Sequence, residues 1–327
     1  MWPDWWQARV AVRKINFALL NRQEFTVRKA KDHLKLGVHW YNIASVVGPD
    51  KTRVRGSGVD FSEHLAIARA WGEFVERYSF LRSVTKTEYC TSNGFASHVN
   101  VKSSAHAAIG ELVERDALLC CWLARLPAVP LDVGRLKLRN PTRDRLALLE
   151  ARGFQVKFAV LAFCMGFFVG LAILSDGKNI GIATSAKTST SLAVDALTRE
   201  VAQIACSWRS PLGPTPIEEL PEQVRPIDHA RFYLQADTKS FFNFWFGRSR
   251  DQQLEFPSFD YTVEELTSSN PYAQETGYSV HRAVSKDCQN LWFGETREDW
   301  VNLRRLSAVL GRPITYGELN HAPHPLA

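Results

Sequence analysis

Residues Ala70 to Arg77 read Ala-Trp-Gly-Glu-Phe-Val-Glu-Arg, and Ala108 to Arg115 read Ala-Ile-Gly-Glu-Leu-Val-Glu-Arg, so six of eight positions repeat at an offset of 38. A looser third copy, Ala-Leu-Thr-Arg-Glu-Val-Ala-Gln, runs from Ala196 to Gln203, with an amide replacing the second carboxylate. The copies predict three helices carrying one polar pair at one pitch. Residues three apart share a helix face, so Glu73 with Glu76, Glu111 with Glu114, and Glu200 with Gln203 each present two oxygens side by side. Taken singly, a pair reads as solvated surface, with Glu73 bonded to Arg69 or Arg77 four residues away. Repetition argues otherwise, as do Gly72 and Gly110, which cost about 1 kcal/mol each relative to alanine inside a helix and imply close approach to the backbone.

If the three helices converge, five carboxylates repel one another unless a cation neutralises them. No histidine stands within the pairs, which removes the Glu-x-x-His spacing of di-iron bundles. All-oxygen ligation suits a hard ion. Magnesium is the first choice, and because it binds through a few carboxylates together with substrate phosphates, a nucleotide is the next expectation.

The 327 residues, 45% of them hydrophobic, are enough for about two domains. Net charge is +6, but 34 acidic residues are interspersed with 40 basic ones, so nucleic-acid binding is not expected. Cysteines at 90, 120, 121, 164, 206 and 288 form no Cys-x-x-Cys pair, which excludes a zinc site of the usual spacing. Cys120-Cys121 lies on an apolar stretch and reads as core. The start, Met1-Trp2-Pro3-Asp4-Trp5-Trp6, lacks the regions of an export signal, and the expected compartment is the reducing cytoplasm. Its tryptophans call for a surface, either this chain's own core or a protein partner.

Phe158 to Leu174 is a 17-residue run without a charge, at the lower limit for a membrane span. Gly166 and Gly170 interrupt it, Val and Phe enrich it, and Ser175-Asp176-Gly177 closes it as a turn, so two buried strands are expected and no membrane span. One strand ends near Cys164 and the second covers Phe167 to Leu174. A further strand near Asn179 to Thr184 leads into the third acidic helix. Elsewhere Lys35 to Val47 reads as a strand, and Asn93-Gly94 as a turn. Asp60 with Glu63 resembles a capping box, Ser103 or Ser104 caps the second helix, and Ser191 caps the third. Pro211 to Asp228 reads as an ordered connection.

The acidic motifs resemble those of the YcaO-domain family, ATP-dependent enzymes that modify backbone amides. The likeness runs from Arg55 to Arg209 and resumes at the C-terminus. Gly56-Ser57-Gly58 followed by Ala68 to Arg77 resembles the first signature, and Ser92-Asn93-Gly94-Phe95-Ala96 followed by Gly110 to Asp116 the second. Ala196 to Gln203 resembles the third. The resemblance implies an α+β, YcaO-type ATP-binding fold, in which mixed or antiparallel sheets pack with the helices that carry the acidic motifs. It implies an N-terminal segment 1–50 for partner contact, a nucleotide and metal core 51–210, and a C-terminal part 211–327 completing the same domain.

For the site, the resemblance makes Glu73, Glu76, Glu111, Glu114 and Glu200 ligands of magnesium ions that bridge the phosphates of ATP. Arg55, Ser57, Arg69, Arg77, Asn93, Arg115 and Gln203 become nucleotide contacts. Two positions depart from the family pattern: Ser57 stands where a lysine is common, and Arg69 where a serine is. The departures point to Arg55 or Arg69 as the phosphate-facing cation. The chain ends His321-Ala322-Pro323-His324-Pro325-Leu326-Ala327, which resembles the Pro-x-Pro-x-Pro tail of azoline-forming members with Ala327 in the last place. Pro323, Pro325 and Ala327 are accordingly assigned to the reaction centre, in a tail that makes few contacts stabilising the fold.

The activity implied is ATP- and magnesium-dependent cyclodehydration of Cys, Ser or Thr in a ribosomally made precursor peptide. Two alternatives share the motifs: thioamide formation, and a nucleotide-binding scaffold without turnover. Only about fifty residues precede Gly56, which implies a separate leader-binding partner of E1-like or winged-helix type, in a hetero-oligomer. An FMN-dependent azoline dehydrogenase is a further implied partner.

Overall fold

The computed structural model describes residues 4–21, 24–47, 51–83, 91–211, 213–234, 240–246 and 255–326. Met1 to Pro3, Cys90, Leu212 and Ala327 lie outside the described residues, and of Trp5 and Trp6 only the helical backbone is described.

From the N-terminus come α1 (Asp4–Asn21), β1 (Phe25–Ala30), β2 (His39–Val47), β3 (Thr52–Asp60), α2 (Glu63–Ser83), β4 (Phe95–His98) and α3 (Val101–Leu123). Next are β5 (Val129–Pro130), α4 (Asn140–Ala151), β6 (Gln155–Cys164), β7 (Phe167–Ser175), β8 (Ile180–Lys187) and α5 (Thr190–Trp208). The remainder is α6 (Pro226–Phe232), α7 (Asn243–Phe246), β9 (Thr262–Glu265), α8 (Pro271–Thr276), β10 (Ser279–Val284) and α9 (Leu303–Leu310). The chain groups into two compact units, residues 1–111 with 262–284 and residues 112–261 with 285–327. All three sheets are antiparallel, packed with helices as expected for the α+β class.

In the first unit, β1-β2-β3 form one sheet and β4-β10-β9 another. The first acidic helix, α2, buries Ala66, Ala70, Trp71, Phe74 and Val75 and leaves Glu73, Glu76 and Arg77 off that stripe, the amphipathic division expected of a helix. Phe25 and Tyr272 meet Phe74 edge-on at 5.3 Å, and the Trp71 indole donates to Thr276 Oγ1 at 2.9 Å. Such aromatics each bury about 150–250 Å², so the motif's apolar half is the centre of this core.

Gly56 and Gly58 have a packing role. A Cβ on Gly56 would stand 2.1 Å from the Ala70 carbonyl oxygen, and one on Gly58 2.2 Å from that of Ala66. β3 therefore lies directly on the backbone of α2. Gly58→Ala is expected to destabilise the fold by about 3 kcal/mol through overpacking, measured as a lower denaturation midpoint; an unchanged midpoint contradicts this packing.

Several local expectations are corrected. The strand begins at His39 instead of Lys35, because Asp32 gathers the N–H groups of Leu36, Gly37 and Val38 at 3.1, 2.7 and 3.2 Å and Lys35 and Gly37 take positive φ of 53° and 69°. That is turn geometry. No capping box joins Asp60 and Glu63: Asp60 accepts from Ser62 N–H at 3.1 Å, whereas Glu63 is held by Lys29 and Tyr41. At α3 the cap is Asn100, which accepts from Ser103 N–H at 3.0 Å, while Ser104 donates to the Ala96 and Ser279 carbonyls. Ser189, not Ser191, caps α5 by accepting from Leu192 N–H.

In the second unit the sheet order is β5-β6-β7-β8. The uncharged run is a hairpin, as expected. Cys164 pairs with Phe167, and the intervening Met165 and Gly166 have φ of 51° and 81°, the mirror-image turn that matches strand twist. No helix among the described residues is long and apolar enough to cross a membrane. Strand β8 leads into α5, which buries Ala193, Val194, Leu197, Val201, Ala202 and Ala205.

Asp116, at the end of the second motif, has a purely structural setting. Its buried carboxylate accepts from Gln289 N–H at 2.8 Å and from the Arg305 guanidinium at 2.6 and 3.0 Å, and Arg305 also donates to the Pro257 carbonyl at 2.7 Å. Burial alone would lower the Arg305 pKa, but Asp116 outweighs it and raises it. Cys120 is buried beside Asp116, and burial pushes its thiol well up, the behaviour of a core cysteine.

Candidate functional site

Within the first unit, the charges of Glu73 and Glu111 both reach Glu76. Burial pushes the Glu76 carboxyl well above the usual carboxylate range, and the charges of Glu111 and Glu73 push the same way against the Ser97 N–H bond. Glu76 accepts that N–H at 2.7 Å. Glu73 accepts the Ser57 N–H and pairs with Arg77 at 2.5 Å, the partner foreseen for it as a surface residue. A strand N–H thus sets the direction of Glu73 and another that of Glu76.

Other predicted contacts in this unit have partners of their own. Ser57 Oγ accepts from the Trp40 indole at 2.8 Å. Arg55 donates to Asn42 Oδ1 at 2.6 Å, and Arg69 to Asp60 at 2.9 Å. Asn93 stands at the turn before β4, where Gly94 has φ of 76° and accepts the Ala283 N–H at 2.8 Å. Beside that turn lies a cation not singled out from the sequence: the Arg282 guanidinium sits 5.3 Å from the centroid of the Phe95 ring. Cross-strand register alone brings it there, since Arg282 pairs with Phe95.

In the second unit, Glu114 accepts from Thr184 Oγ1 at 2.8 Å and Ala186 N–H at 3.0 Å, and Arg115 lies 3.9 Å from it. On α5, Glu200 is exposed and Gln203 half-buried. The tail belongs to this unit too. His324, Pro325 and Leu326 are buried, Trp122 of α3 donates to the Ala322 carbonyl at 2.9 Å, and the Arg115 charge reaches His324. The expectation of a tail with few stabilising contacts is therefore corrected. Sequence reasoning also missed Trp122, His229 and Tyr233, which hold the tail from positions 90 or more residues away and carry no local signal.

Among the described residues, no three carboxylate, imidazole or thiol groups are already spaced to hold a metal ion. Magnesium completes its shell with water and phosphate oxygens, so an oxygen-rich set that includes the raised Glu76 carboxyl still fits it.

The family model described as YcaO cyclodehydratase, ATP- and Mg2+-binding, matches residues 82–280. That is more than half of the chain, and the chain belongs to the YcaO family. All of α2 but its last two residues, and everything after 280, lie outside the match. No curated protein matches the chain. Among solved structures, a heterocyclase in complex with substrate and cofactor aligns with a TM-score of 0.70 at 15% identity, covering 98% of this chain and 57% of that one. The YcaO protein of Methanopyrus kandleri, bound with AMPPCP and Mg2+, aligns at 0.62 with 13% identity over 86% of this chain and 91% of its own. The Escherichia coli microcin synthetase McbBCD complex aligns at 0.52 with 11% identity, over 80% and 88%. At these identities the likeness establishes the fold, and the chain spans little over half of the heterocyclase.

Proposed function

We propose that the chain is an ATP- and magnesium-dependent cyclodehydratase of a ribosomally made precursor peptide. The observation that carries the proposal is the Glu76 carboxyl, aimed by the Ser97 N–H and raised first by burial and then by the charges of Glu111 and Glu73, in a member of a family whose model is described as ATP- and Mg2+-binding. Like charges are held together at a cost that a bound cation removes. Glu73, Glu76, Glu111, Glu114 and Glu200 hold magnesium, while Asn93, Gln203 and the arginines Arg55, Arg69, Arg77 and Arg115 line the nucleotide.

The peptide's Cys, Ser or Thr side chain adds to the preceding carbonyl carbon. The carbonyl oxygen then departs as phosphate and the amide nitrogen loses its proton, which closes a thiazoline or oxazoline ring with net loss of one water. Bound ATP supplies the phosphoryl group that makes this oxygen a leaving group, with magnesium neutralising the phosphate charge. This chain's residues position and neutralise, which accounts for a site of carboxylates without an evident nucleophile. A leader-binding partner of E1-like or winged-helix type delivers the peptide, and an FMN-dependent dehydrogenase oxidises the azoline.

The test is the mass of a precursor peptide after incubation with the protein, its partner and magnesium-ATP. Loss of one water per modified residue is the expected result. Exchange of oxygen for sulfur in the presence of sulfide identifies thioamide formation instead, and ATP binding with an unchanged peptide identifies a scaffold.

A further inference from the structure

Proline has no N–H, so Pro323 and Pro325 make the tail a segment rich in acceptors, and buried carbonyls need donors. Three consecutive carbonyls each receive one from a side chain. Trp122 Nε1 donates to Ala322 O at 2.9 Å, the Tyr233 hydroxyl to Pro323 O, and His229 Nδ1 to His324 O at 2.7 Å.

The second bond of His229 fixes its tautomer. Nε2 accepts the Gly294 N–H at 2.9 Å, so the ring proton must sit on Nδ1, facing the tail. The His324 ring lies 4.3 Å away and donates from Nε2 to the Trp292 carbonyl. Burial lowers the pKa of both imidazoles, in keeping with neutral rings. The N-terminus of α6 is closed separately by Asp228, which accepts from Arg225 N–H at 3.0 Å and pairs with Arg231 at 2.9 Å. The side chains of His229 and Tyr233, four residues apart, thus play no part in closing that N-terminus, and Tyr233 closes the other end with its backbone N–H alone.

We infer that His229 and Tyr233 are positioning residues that latch the main chain of the C-terminal tail, an assignment resting on the reading that the tail serves peptide modification. Asparagine places its amide near the Nδ1 position and keeps a donor for His324 O. Glutamine reaches the Nε2 position and keeps an acceptor for Gly294 N–H. The two substitutions therefore separate the bond to the tail from the bond to the Gly294 loop.

The experiment measures kcat, KM for ATP, and hydrogen exchange of residues 320–326 in the full chain with its partner. His229→Gln should lower kcat about tenfold, the scale of one hydrogen bond lost from a positioned segment, leave KM for ATP unchanged, and speed exchange in the tail. His229→Asn should restore most of both. Tyr233→Phe should act in the same direction as His229→Gln, and it carries the test if that variant does not fold. Wild-type kcat and tail exchange in His229→Gln, or equal failure of the Gln and Asn variants, overturns the latch. If the wild-type protein leaves the peptide unchanged, the proposed function fails, while tail exchange still decides the latch.

Discussion

Glu76→Gln is expected to reduce peptide modification on the order of a thousandfold while leaving a folded protein. The amide has nearly the same shape and keeps one oxygen for the Ser97 N–H, but it cannot neutralise a metal ion. The effect on stability has a definite sign. Without metal, the folded protein holds a proton on Glu76 that the unfolded chain releases above the ordinary value of 4.5. Stability therefore falls as pH rises from that value toward the raised one, and glutamine removes the loss. Thermal melts at neutral pH without metal should show Glu76→Gln at least as stable as the wild type. Glu114→Gln should lose activity similarly, with a small stability loss, because the amide can satisfy only one of the donors Thr184 and Ala186. Retained peptide modification in both variants removes these residues from the metal site.

A tag joined after Ala327 should slow turnover about a hundredfold through misplacement of the tail, with magnesium-ATP affinity unchanged. An N-terminal tag is the control. The docked tail makes extension a cleaner probe than deletion. Removing Pro323 onward leaves Tyr233 and His229 without their acceptors, at about 1–3 kcal/mol for each buried group, and so mixes stability with positioning. Extension keeps those bonds. Full turnover by the C-terminally tagged protein contradicts a role for the tail in the reaction centre.

The acidic helices were legible because two demands coincide in eight residues. Trp71 and Phe74 must face a core while Glu73, Glu76 and Arg77 stay off it, and the 3.6-residue period displays both. The hairpin around Met165-Gly166 was legible for a similar reason: an uncharged run with a glycine break leaves few alternatives. What stayed hidden depends on long-range pairing. Asp32 draws three N–H groups into a turn where a strand was expected, and Lys29 and Tyr41 take Glu63 away from a capping role. Asn100 and Ser189 win their caps over serines that follow them in the sequence, a difference set by where the preceding strand ends. Ser57 illustrates the limit at the site. Its place between two glycines marks a close strand-helix contact, yet only the folded chain reveals that its N–H fixes Glu73 and its hydroxyl serves Trp40.

The central claim is that these carboxylates bind ATP through magnesium. Equilibrium dialysis of ATP against the wild-type protein and Glu76→Gln, each with and without magnesium, measures this directly. The account predicts that the wild type binds ATP only with the metal and that Glu76→Gln binds weakly in both conditions; equal affinity in the two proteins, or wild-type binding that ignores magnesium, contradicts it.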